Sequence, residues 1–98
     1  MLELNKREFL QSDLGQALID VIISWDQALD ESRHYYQQTP EFEYWNKVAL
    51  INREEWEIFK KTLYHFYGIE YYFTRTDEYF GVVTEDETNW LIRIEREV

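Results

Sequence analysis

INREEWEIFKKTLYHFYGIEYYFT, residues 51–74, decides the fold, because within it the spacing of apolar residues changes from helical to strand-like. Trp56, Phe59, Leu63, Phe66 and Tyr67 recur at three- and four-residue intervals, the mark of a helix with one buried face. Asn52 stands three positions before Glu55, the spacing of a capping box. Ile51 and Trp56 have hydrophobic-staple spacing, so this helix is expected to start at Asn52. Gly68 supplies the left-handed stop. Beyond it Ile69, Tyr71 and Phe73 alternate with Glu70, Tyr72 and Thr74, the two-residue period of a strand.

Downstream, a turn at Thr76-Asp77-Glu78 leads into a second strand, Tyr79–Thr84, and the acidic turn Glu85-Asp86-Glu87-Thr88 leads into a third, Asn89–Arg96. In the third, Trp90, Ile92 and Ile94 are expected on one side, with Leu91, Arg93 and Glu95 on the other. Upstream, Lys47–Ile51 is short and apolar and reads as a further strand, with 40–45 as a turn of helix or loop. Thr39-Pro40-Glu41 nevertheless has the chemistry of a helix start, with Thr39 as cap.

The first third reads as one long helix. Leu14, Leu18, Val21, Ile22, Trp25, Ala28, Leu29, Ser32 and Tyr36 form its apolar stripe, while Asp13, Asp20, Gln27, Asp30 and Glu31 lie opposite. Asn5 with Glu8, or Ser12, can start it. Gly15 costs about 1 kcal/mol against alanine in a helix, which marks a place for a break. The expected architecture is α+β: a long N-terminal helix and a second helix packed on a three- to four-stranded, mainly antiparallel sheet ending in a β-meander. With 98 residues, the chain is read as one compact domain spanning 1–98.

Composition narrows the function classes. Twenty acidic residues against ten basic ones give a formal net charge of -10. Such a field repels nucleic-acid phosphates and the anionic inner leaflet of a membrane, and favours a basic protein. Solubility alone also accounts for an acidic surface. A hydrophobic share of 45% argues for a packed core rather than disorder. There is no cysteine, hence no disulfide, thiolate chemistry or cysteine-ligated zinc. The most apolar run, Val21-Ile22-Ile23, is too short to span a bilayer, and Met1–Lys6 has no secretory pattern, so the cytoplasm is the expected location.

No catalytic or cofactor signature emerges. Gly15, Gly68 and Gly81 are scattered and form no phosphate-binding loop, and no nucleophile elbow or zinc-binding helix motif occurs. His34 follows Asp30 by four residues and Glu31 by three. The three side chains then share a helix surface suited to a weak divalent-cation site, or His34 simply caps the helix dipole. Glu54, Glu55 and Glu57 favour a helix N-terminus without catalysis. The eight tyrosines stand out. Tyr71 and Tyr72 must face opposite sides of their strand, which leaves Tyr72 on the outer sheet face, a residue type enriched at binding surfaces.

The leading functional reading is a non-catalytic acidic module, with no metal or cofactor, that binds a basic protein. In its sharper form it is an inhibitor that occupies that protein's nucleic-acid-binding surface with carboxylates in place of phosphates. Candidate partner-binding residues are Asp20, Asp30, Glu31, Tyr72, Asp77, Glu78, Glu85, Asp86 and Glu87. In size and charge the chain resembles small phage-encoded inhibitors, including some anti-CRISPR and anti-restriction proteins. The alternatives are a structural or assembly protein, or a homodimer, of phage or bacterial origin, and a small metal-dependent enzyme around His34.

Overall fold

A computed structural model describes residues 1–97; Val98, within the span read as one domain, lies outside them. The elements are α1 (Lys6–Gln11), α2 (Asp13–Ser32), α3 (Pro40–Tyr67), β1 (Tyr71–Arg75), β2 (Tyr79–Thr84) and β3 (Trp90–Glu95). The strands form an antiparallel meander in the order β1-β2-β3. Helices cover one face of this sheet, which is the expected α+β arrangement. Among the described residues there is no fourth strand.

The N-terminal helix is broken in two, and both candidate starts are used. Asn5 accepts the Glu8 N–H to cap α1, and the Ser12 hydroxyl accepts the Gly15 N–H to cap α2. Ser12 also donates to the Phe9 carbonyl at 2.5 Å, fixing the corner. Gly15 is required there, because a β-carbon would run into the Phe9 carbonyl oxygen. The helix ends at Ser32, short of the last residue expected on its stripe, so Tyr36 lies outside it and is 88% exposed.

The expected strand at Lys47–Ile51 and the helix start at Asn52 are both incorrect: α3 runs through them as one 28-residue helix. Thr39 caps it, its hydroxyl accepting the Phe42 N–H, and Pro40 occupies the first turn. At about 100° per residue, Ala49, Asn52 and Trp56 fall on the inner side of α3, whereas Leu50 and Ile51 fall outside and remain exposed. Their exposure made a helical segment look like an apolar strand. Phe66, expected on the buried face, is half-exposed. Gly68 ends the helix with φ 70°, as its position implied.

Asn52 is therefore buried in mid-helix. Its amide donates to the Ser24 hydroxyl of α2 and to the Val48 carbonyl, both at 2.9 Å. Asn52→Ala is expected to cost about 1–2 kcal/mol, through this interhelical bond and not through a cap. Urea denaturation of Asn52→Ala, Ser24→Ala and the double variant tests it: losses smaller than additive support the bond, while strictly additive losses refute it.

The core is one cluster built from all the layers: Phe9, Leu18, Ile22, Trp56, Leu63, Tyr71, Phe80, Val82 and Ile92 among others. Trp25 of α2 stacks on Phe73 of β1, with ring centroids 4.1 Å apart. Tyr71 points inward as its alternation predicted; among the described residues its buried hydroxyl has no hydrogen-bond partner, and burial raises its pKa. β3 departs from strict alternation. The pairing steps from Val82↔Ile92 to Val83↔Trp90, a bulge that leaves Leu91 buried next to buried Ile92 rather than on the outer face.

Candidate functional site

Nine residues were candidates for partner contact, and the structure distributes them over three places. The first is the β2–β3 turn. Thr84 and Thr88 hydroxyls donate to Asp86 Oδ1 at 2.7 and 2.8 Å, and the Thr88 N–H adds a third bond. The Glu87 N–H closes on the Thr84 carbonyl, with Glu87 itself at φ 59°. The two threonine hydroxyls, then the backbone donors, hold the Asp86 carboxyl below the usual aspartate range. The turn is thus built to keep a carboxylate ionised and in place.

Tyr72 of β1 lies across the sheet from that turn, paired with Val83. Glu70, Tyr72, Thr84, Glu85, Asp86 and Asn89 line a shallow hollow of about 550 Å³. The neighbouring Glu70 carboxylate raises the pKa of the Tyr72 hydroxyl most, and the charge of Glu85 adds to it. The Lys60 ammonium sits 4.2 Å from the Tyr72 ring centroid, and Lys6 of α1 donates to Asn89 on the rim. Tyr72, Glu85 and Asp86, distant in sequence, are therefore neighbours, with Glu87 on the same turn.

The second place is the other end of the sheet. Asp30 and Asp77 meet Arg33, Arg75 and Arg96 around a hollow of about 280 Å³, and the Glu78 carbonyl accepts the Arg96 N–H. At this end lies a cluster that sequence reasoning missed. Asp26 of α2 is buried, accepts Arg75 Nε at 2.7 Å, and is gripped by both terminal nitrogens of Arg96 at 2.6 and 2.8 Å. Arg96 Nε also donates to the Thr76 carbonyl. A signal existed: Asp26 follows Ile22 by four residues on the apolar stripe, and Arg75 continues the inward alternation of Tyr71 and Phe73. A charge in a buried pattern implies an opposite charge elsewhere in the chain.

The third place is the solvent side of α2, where Asp20 is exposed and Glu31 partly so. His34 lies in the turn beyond α2, which stops at Ser32, and its N–H donates to the Glu31 carbonyl. Among the described residues no three His, Asp or Glu side chains gather to hold a metal ion. Nor, among them, is any helix long and apolar enough to cross a membrane. What the arrangement offers chemically is fixed, solvated carboxylate beside aromatic surface, suited to attracting cations. In comparisons with known proteins, no family model, curated protein or solved structure matches the chain.

Proposed function

We propose that the chain is a non-catalytic binding module whose acidic surface engages a basic protein, acting in the cytoplasm. In its sharper form the partner is a nucleic-acid-binding protein, and the module competes with the nucleic acid in the manner of phage-type inhibitors. One observation carries this reading. Among the described residues, ion pairs consume only Asp26, Asp30 and Glu95, so the remaining carboxylates stay open to an external cation. Of these, Asp86 in the β2–β3 turn is in addition held by a hydrogen-bonded frame.

Opposite fields speed encounter, and salt screens them within about 10 Å at 0.1 M ionic strength. Reversing Glu85, Asp86 and Glu87 to lysine is expected to weaken the partner complex about tenfold or more at low salt. The domain should still fold, because all three residues are exposed, while replacing Asp86 removes its bonds with Thr84 and Thr88 and loosens the turn locally. Affinity capture across a salt series, followed by competition with an oligonucleotide, provides the test. An acidic partner, or a salt-independent complex indifferent to the reversal, would sink the proposal.

A further inference from the structure

We propose that the side of the α2–α3 hairpin turned away from the sheet is a docking groove for a cationic amphipathic helix. It rests on the proposed function in one respect only, that the partner is basic. The Asn52–Ser24 hydrogen bond marks the line where the two helices touch. Trp25 on Phe73, and Lys60 over Tyr72, mark the side that the sheet covers. At about 100° per residue, the opposite flank of α3 carries Tyr44, Ile51 and Ile58, which are 59%, 56% and 67% exposed. The facing flank of α2 carries Asp13, Asp20 and Glu31.

Three features select the occupant. Tyr44, Ile51 and Ile58 repeat every seven residues, so they form one ridge about 21 Å long, the length of about four helical turns. Exposed apolar residues in register at that spacing are what a partner helix reads with its own i, i+3, i+4 and i+7 anchors. The charge is also one-sided: α2 contains no lysine or arginine from Asp13 to Ser32, so its flank offers only carboxylates. A cationic helix gains from each of them, whereas two copies of a chain with net charge -10 repel overall.

The test uses an 18-residue peptide of leucine and lysine with all leucines on one helical face, and a scrambled peptide of the same composition. Fluorescence anisotropy gives affinities and amide chemical shifts locate the contact. The patterned peptide is expected to bind more tightly than the scrambled one and to shift amides of α2 and the Tyr44–Ile58 segment. Ile51→Ser with Ile58→Ser should weaken it about tenfold or more. Asp20→Lys with Glu31→Lys should weaken it as well. Equal binding of both peptides, or indifference to the isoleucine pair, overturns the groove. So does a free protein that sediments as a dimer and becomes monomeric in the isoleucine variant, since a second copy then fills the site. Shifts confined to the β2–β3 turn overturn the groove but leave a basic partner standing; no binding of either peptide at low salt overturns both.

Discussion

Replacing Asp26 with alanine is expected to remove about 3 kcal/mol of folding stability. The Asp26 side chain is 10% exposed and answers two guanidinium groups, so its loss strands both charges at the seam between α2 and the sheet. The figure sits at the low end for a broken buried pair because the arginine side chains retain 22% and 23% exposure. The same cluster sets a pH dependence. Burial alone would raise the Asp26 pKa, but hydrogen bonds from Arg96 and Arg75, with their charges, outweigh it and hold it below the ordinary 3.8. A depressed pKa in the folded state stabilises fully above the unfolded value and is lost as pH falls from there through the folded value. Melting temperatures of the wild type and Asp26→Asn should therefore differ most near neutrality and converge below about pH 4. A gap that stays constant down to about pH 2 would show that the charge on Asp26 contributes nothing.

Trp56→Ala should cost more, about 3–5 kcal/mol. Its ring is 3% exposed and belongs to the cluster of Leu18, Ile22, Leu63 and Tyr71, which joins α2, α3 and the sheet. Small domains have about 5–15 kcal/mol of stability in all, so this variant should be close to unfolding at physiological temperature. Trp56→Phe should lose less, because most of the volume remains. Urea midpoints for the pair decide the matter: equal small losses would mean that the ring is not a packed centre of the fold.

The end of α3 and the order of the three strands were legible because their signals are local. Gly68 and the alternation of Tyr71 with Phe73 set the end of α3 and the face of β1 without reference to the rest of the chain. The middle was not. Val48 to Ile51 is apolar on both sides of the helix, which erases the period, and Asn52 with Glu55 imitates a cap that burial against Ser24 overrides. The Asp26 cluster was hidden for a different reason: its partners lie 49 and 70 residues away, beyond any local pattern. For the candidate site, the sequence supplied the acidic turn and the outward tyrosine. Only the strand register could show that Tyr72 stands beside Glu85 and Asp86 and apart from Asp77.

The bulge at Leu91 bears on how the molecule avoids its own kind. β3 is an edge strand, and an open edge is a template on which strands of other molecules add and aggregates grow. By placing two residues opposite one, the bulge breaks the even ladder and adds local twist, so a straight incoming strand loses register there. Exposed Arg93 and Glu95 put charge along the same strand, 2.8 Å apart and already satisfied by each other. One extra residue thus fills the core with a leucine on one side and blunts intermolecular strand addition on the other.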